Sequence, residues 1–151
     1  MNVVWGLKEH VVPFVAQIDS LPGGFGNCQT AAVIDRKGNM VAGVVFHNWN
    51  PAAEIIEVSA ASVDARWATR GVLQELFGYV FTHCQACAAR TAETNRTVRR
   101  LWKAFGAQEY IIPRLRGRTA SEAILMLTDE AWAASKFARP DNGKKISTAA
   151  A

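Results

Sequence analysis

Cys84-Gln-Ala-Cys87, with His83 beside it, has the spacing of a metal or redox pair. A structural zinc takes four ligands, and no second Cys or His pair lies at finger spacing from this one. A redox pair draws its low thiol pKa from a helix N-terminus, whereas this pair falls where a helical pattern ends and a strand pattern begins. Two buried thiols packing as small apolar side chains are therefore expected, and no metal. His10, His47 and His83 are scattered and show no Ser or Cys partner pattern, so no nucleophilic triad is expected. Leu21 to Asn27 contains Gly23, Gly24 and Gly26, but no Lys-Ser/Thr pair follows, so it reads as a loop and not as a Walker phosphate cradle. Trp5, Trp49, Trp102 and Trp132 read as core or cleft walls, and Trp67 as the tryptophan to watch.

Charge is the other source of chemistry. The formal net charge of the chain is +4. Between Arg90 and Arg118 stand Arg90, Arg96, Arg99, Arg100, Lys103, Arg114, Arg116 and Arg118, against Glu93 and Glu109. Eight basic residues against two acidic ones give that window +6 and leave −2 for the rest of the chain. Such a surplus suits a face that meets anions: a phosphate-bearing cofactor, an acidic partner or nucleic acid. It equally suits a solvated surface that keeps the protein apart from its neighbours.

The elements that would position these groups follow from pattern. Thr30–Asp35 and Met40–Phe46 read as strands joined by the Arg36–Asn39 turn, which makes a hairpin. Glu54–Ala61 reads as a third strand. Thr69–Cys84 is the clearest helix, with Val72, Leu73, Leu76, Phe77, Val80, Phe81 and Cys84 on one stripe. Ala86–Thr91 reads as a strand. Asn95–Phe105 reads as a helix that Thr94 or Asn95 caps and Gly106 closes. Glu109–Ile112, ended by Pro113, and Ala123–Leu127 read as strands, and Asp129–Phe137 as a helix capped by Asp129. Val11–Ile18 is apolar and too short to assign. Strands run together first and then alternate with helices, which predicts a single α/β domain, a central mixed β-sheet with helices on both faces. The expected domain is residues 1–138, with 139–151 as a disordered tail.

At 151 residues and half apolar composition the chain can bury a core without disulfides or metal. No apolar run reaches the roughly 18 residues of a membrane span, and the start has no signal-peptide pattern. Three cysteines, an odd count, fit reduced thiols, so no membrane and a cytoplasmic location are the expectation.

Three segments in order resemble the GNAT superfamily of acetyl-CoA-dependent acyltransferases: the hairpin Thr30–Phe46, the run Glu54–Ala61 followed by Arg66–Leu76, and Arg90–Asn95 followed by Val98–Gly106. They are similar to that family's second and third strands, its central strand and pyrophosphate loop, and its later strand, Asn and helix ending in Phe-Gly. The resemblance covers about Thr30 to Leu127. It implies acetyl-CoA as co-substrate and transfer of an acetyl group to an amine-bearing acceptor, a small molecule or a protein, by direct attack on the thioester. It further implies that Val58, Ser59, Ala60 and Ala61 pair with pantetheine through free backbone groups. Arg66, Trp67, Thr69, Arg70, Gly71 and Val72 would surround the pyrophosphate, where unpaired helix N–H groups and a glycine suit an anion. Asn95 would meet the pantetheine arm or a site water. Arg99, with Arg96 and Arg100, would reach the adenosine phosphates, and Trp102 would line the thiol end.

A protonated amine needs a base. Glu54 and Glu57 lie three apart, so on a strand they face opposite ways; Glu57, nearer the thioester end, is the expected base, and Asn95 the second catalytic residue. A backbone N–H near Val58 or Ser59 would polarise the thioester carbonyl. Three positions depart from the family pattern, the first being Ala68, where the loop pattern opens with Gln or Arg. Leu73 stands where the loop pattern ends in Gly or Ala and is expected to crowd the phosphate. Trp102 stands where the family often has a Tyr acid, and an indole is no useful acid. The acceptor pocket would be built from Val3–Gly26 and Arg114–Ser121, and the basic Arg114–Arg118 segment, read as a loop, suggests an acidic or phosphorylated acceptor. A homodimer is a further expectation from the family; nucleic acid is not an expected partner of the enzyme. The alternatives are a non-catalytic protein of the same fold that binds CoA or a macromolecular partner through its basic face, and an unrelated basic nucleic-acid-binding domain, which steep salt dependence would reveal.

Overall fold

The computed structural model of the chain describes residues 1–18 and 24–140. In chain order it contains β1 (Asn2–Trp5), α1 (Lys8–Ile18), β2 (Cys28–Ile34), β3 (Met40–Asn50), β4 (Ile55–Ser62), α2 (Arg70–His83), β5 (Ala86–Ala92), α3 (Arg96–Phe105), β6 (Gln108–Gly117), β7 (Ala120–Thr128) and α4 (Asp129–Ala134). The strands form one seven-stranded sheet in the order β1-β2-β3-β4-β5-β7-β6. Every neighbouring pair is antiparallel except β4 and β5, which are parallel.

Local chemistry fixes the early strands. Asp35 Oδ1 accepts from the N–H of both Lys37 and Asn39 at 2.9 Å, and Gly38 at φ 86° closes the turn of the β2–β3 hairpin. Alternation then sorts side chains between the two faces. Ala31, Val33, Val44, Phe46, Ile56, Val58, Cys87, Ala89, Leu125 and Leu127 meet the apolar stripe of α2. Phe77 of that stripe sits edge-on to Trp102 and Phe105 of α3, at 5.6 and 5.3 Å between centroids, and 4.5 Å from Trp132 of α4. On the other face Val45, Ala32 and Ala61 lie under Val11 and Val15 of α1. The helix comes this close because Gly43 has no side chain: a Cβ there would stand 3.0 Å from Val15 Cγ2 and 3.2 Å from Phe14 Cδ1 and Val11 Cγ1. Helices thus cover both faces, as expected.

The feature that matters for function is where the sheet opens. Strands β4 and β5 pair only at Ile55–Ala86, Ile56–Cys87 and Glu57–Ala88. Beyond that point β4 stays paired with β3 as far as Ser62, and β5 with β7 as far as Ala92. The two parallel strands therefore diverge, leaving one edge of Val58–Ser62 without a strand partner. Helix α2 begins after the far end of β4, so its N-terminus stands at the open end of the V.

Several boundaries differ from the sequence reading. β1 and α1 were not assigned by pattern. Pro13 lies inside α1, which a sequence window reads as a breaker, yet Val11 and Val15 are fully buried and the contact with the sheet holds the helix. Pro113 does not end β6, which runs on to Gly117; on an edge strand a missing N–H costs no ladder bond. Arg114–Arg118 is accordingly the end of a β-hairpin and not a loop. Glu54 is not in a strand: it takes φ 54° in the turn before β4. Helix α4 stops at Ala134, and its cap is Thr128, whose Oγ1 accepts from Ala131 N at 3.1 Å, in place of Asp129. Arg139, assigned to a tail, is held on α2: its carbonyl accepts from Gln74 Nε2 at 3.1 Å and Arg70 Nη1 at 3.2 Å. The rest of the expected tail from residue 141, and Leu21–Gly23 of the glycine-bearing loop, lie outside the described residues.

Candidate active site

Thr69 caps α2 in extended conformation, and its side chain accepts from Val72 N at 3.2 Å. Leu73 N makes the first helical bond, to Thr69 O at 2.9 Å. That leaves the N–H groups of Arg70 and Gly71 with no acceptor within the helix, pointing out of its positive end. A Cβ on Gly71 would meet nothing within 4 Å, so this turn is open to a ligand. Leu73 does not crowd it. Its side chain is 2% exposed and packs into the core beneath α2, so the departure from the family pattern falls on the inner face. Trp67, half-buried, packs on the same core, and its carbonyl accepts from Thr69 N at 2.9 Å, shaping the approach. Arg66 and Arg70 are both present at this mouth, but each has a partner. Arg66 forks onto Asp64 at 3.1 Å through Nε and Nη2, and Arg70 holds Arg139 O. The paired guanidinium keeps the Asp64 carboxyl below its ordinary value.

On α3 the expected residues do structural work. Asn95 is the N-cap: Oδ1 accepts from Val98 N at 3.3 Å and Nδ2 donates to Thr91 Oγ1 at 3.0 Å. Arg99 grips Glu109 on β6 in a fork of 2.7 and 2.8 Å and donates to Glu93 O at 2.6 Å. Its donors are thus directed at protein groups on β6 and in the β5–α3 connection. Trp102 is 7% exposed and stands edge-on to Phe77, a core wall more than a cleft wall. The basic window divides in the same way. Arg116 Nη1 donates to both oxygens of Glu122, and Arg90 Nε stands 3.5 Å from that buried carboxylate. Lys103 Nζ stands 3.6 Å from Glu109. Arg96, Arg100, Arg114 and Arg118 remain without an acid within 4 Å among the described residues.

The face that carries α1 holds a cluster that pattern reading missed. His47 on β3 is 8% exposed. Its Nε2 lies 2.9 Å from Ser59 Oγ, and its Nδ1 lies 3.9 Å from Glu57 Oε2, both on β4. Phe25 stacks at a tilt on the ring, 4.8 Å between centroids. Burial holds the imidazole pKa below its ordinary value, against the smaller opposing pull of the Glu57 carboxylate. So one histidine does have a serine partner, twelve positions away in sequence. The signal was available only through the antiparallel register, which sets His47 opposite Glu57 and Val45 opposite Ser59.

A cleft of about 430 Å³ lies at the paired end of β4, lined among others by Phe46, His47, Trp49, Ile56, Tyr79 and His83. Cys84 borders it and Cys87 is fully buried behind it. Burial raises both thiols, Cys87 very far, and neither forms a disulfide. Both are buried packing residues, as the sequence suggested. No helix among the described residues is long and apolar enough to cross a membrane.

No protein-family model matches the sequence, and no curated protein sequence does either. Solved structures do match. The spermidine/spermine N-acetyltransferase SpeG from Vibrio cholerae superposes with a TM-score of 0.70 at 11% identity, over 87% of this chain and 96% of that one. A phosphinothricin N-acetyltransferase, so described provisionally, gives 0.63 at 20% identity, over 84% and 98%. A GCN5-related N-acetyltransferase from Brucella melitensis gives 0.61 at 23% identity, over 72% and 54%. The chain has the fold of the GNAT N-acetyltransferases. At these identities the likeness is one of fold.

Proposed function

We propose that the chain is an acetyl-CoA-dependent N-acyltransferase that moves an acetyl group to an amine. The observation that carries this reading is the V between β4 and β5 with the N-terminus of α2 at its mouth. An extended, amide-bearing arm suits the unpaired edge of Val58–Ala61, and a diphosphate suits the free N–H groups of Arg70 and Gly71, where no side chain intrudes. Arg66, Trp67, Thr69 and Val72 frame that mouth. Asn95, at the head of α3, follows the divergent end of β5 by three residues. Removal of the amine's proton falls to Glu57 on the face away from α2.

One observation favours a second reading, a non-catalytic protein of this fold that binds CoA. Trp102 is buried where the family's acid would stand, so α3 offers no proton to a departing thiolate. A thiol of pKa near ~8.5 leaves without strong assistance near neutral pH, and so the enzyme reading is preferred.

Calorimetric titration with acetyl-CoA, and with CoA alongside, tests the proposal. Micromolar binding that Gly71→Glu weakens supports the site, and transfer to amines then separates enzyme from binder. Added carboxylate at Gly71 costs the fold nothing in contacts, and a negative charge in the first turn favours the helix by roughly 0.3–1 kcal/mol. Against a diphosphate about 4 Å away it costs roughly 1–4 kcal/mol per charge pair, an affinity loss of roughly fivefold to a thousandfold. No binding by wild type at millimolar ligand refutes both readings.

A further inference from the structure

We propose that His47 takes the proton of the attacking amine, that it does so through the Ser59 hydroxyl, and that Glu57 is a positioning residue that holds the imidazolium. This rests on the acyltransferase reading and changes its base from a carboxylate to an imidazole. Three observations carry it. Ser59 lies two residues beyond the last β4–β5 pair, in the divergent stretch, and its side chain is on the α1 face. Its Oγ is 2.9 Å from Nε2 of His47, within hydrogen-bond reach. Glu57 stands on the Nδ1 side of the same ring at 3.9 Å. A carboxylate there favours the tautomer with its proton on Nδ1, which leaves Nε2 free to accept from Ser59. Nucleophile-side hydroxyl, imidazole and orienting carboxylate thus stand in line.

The step balances as follows. The acceptor nitrogen bonds to the acetyl carbonyl carbon, and the carbon–sulfur bond breaks with its electron pair leaving on sulfur. Before it adds, the protonated nitrogen passes one proton to Ser59 Oγ as the Ser59 proton passes to Nε2 of His47, and the second proton, shed once the nitrogen has added, goes to the departing thiolate or to solvent. His47 becomes a cation beside Glu57 and later returns the proton to solvent or to the thiolate. The imidazole is buried and held neutral near pH 7, so it is in the accepting form. The other groups that face it are Glu57 on β4, Cys28 opposite it on β2, and His83 across the cleft from α2.

The test follows CoA release from acetyl-CoA by the full chain, with butylamine and with hydroxylamine as acceptor probes. Butylamine is protonated at neutral pH and needs a base, whereas hydroxylamine is a free nucleophile there. His47→Gln is expected to lower the rate with butylamine roughly 10²–10⁴-fold, leaving acetyl-CoA binding unchanged, and to lower the hydroxylamine rate far less. Ser59→Ala cuts the same route and is expected to show the same selectivity, with little risk to folding. Activity needs neutral His47, so the wild-type rate falls on the acid side of the His47 pKa. Glu57→Gln removes the group that raises that pKa, and the acid limb should move to lower pH, which a merely structural carboxylate would not cause. Equal losses with both amines, or an acid limb unmoved by Glu57→Gln, overturn the assignment. So does a wild-type chain that binds acetyl-CoA and releases CoA to neither amine. A chain that binds no acetyl-CoA overturns the acyltransferase reading itself.

Discussion

Gly43→Ala tests why α1 sits where it does. The added Cβ would lie 3.0 Å from Val15 Cγ2 and 3.2 Å from Phe14 Cδ1 and Val11 Cγ1. Carbon atoms prefer about 3.5–4.0 Å, so the helix must retreat by a few tenths of an ångström or its side chains must turn. Val11 and Val15 are both fully buried and are β-branched, with little rotamer freedom to yield. Overpacking of this kind costs about 1–3 kcal/mol. Alanine returns roughly 0.4–1 kcal/mol by restricting the unfolded chain. The balance is a loss of about 0.5–2 kcal/mol, which for a chain of this size lowers Tm by about 1–8 °C.

A double-mutant cycle makes the reasoning refutable. Val15→Ala removes the atom nearest the new methyl, so Gly43→Ala should cost less in that background, with a coupling of about 0.5–1.5 kcal/mol. Equilibrium urea unfolding of the four chains measures it. If Gly43→Ala stabilises the wild type, or costs the same in both backgrounds, then close approach of α1 is not what this glycine serves.

Two further outcomes are expected. Asn95→Ala removes the acceptor for Val98 N and should cost about 0.5–2 kcal/mol in urea unfolding. Asn95→Asp keeps the cap, so weaker acetyl-CoA binding at unchanged stability would reveal a separate cofactor contact, and unchanged binding would deny one. His47 has a folded pKa below the unfolded value of about 6.5, so the unfolded chain binds the extra proton first. Its contribution is present in full above pH 6.5 or so and is lost as pH falls toward the folded value. Thermal melts of wild type and His47→Gln should therefore converge on acidification, and parallel curves would contradict the burial argument.

Much of the fold was legible because its later elements carry local signals that agree with their packing. Thr69 and Asn95 are good caps, each followed by an apolar stripe, and Gly106 takes φ 108° where a left-handed C-cap is needed. What stayed hidden is held by long-range contact. α1 contains a proline and several strand-forming residues, and Gly43, 25 residues beyond the end of the helix, explains how it packs. β6 continues past Pro113 because it is an edge, and edges cannot be read from one strand's composition. The Arg window misled in a similar way. Glu122 lies outside the window, yet its buried carboxylate holds two of the window's arginines, and Glu109 inside it holds a third.

The site divides along the same line. The half proposed for the cofactor is local: a strand, a turn, a cap and a glycine within one stretch of chain, where free N–H groups follow from helix geometry alone. Its proton half is not. His47 and Ser59 meet diagonally across β3 and β4, and a shift of one residue in that register would send one of them to the face beneath α2. The register is fixed instead by burial of Phe46 and Val58 on one face and Val45 and Ala61 on the other. The same apolar alternation that selects the sheet's two faces therefore brings imidazole, hydroxyl and carboxylate together on the face away from α2. In the proposed reading, that is the side from which an acceptor would approach a thioester in the V without meeting α2.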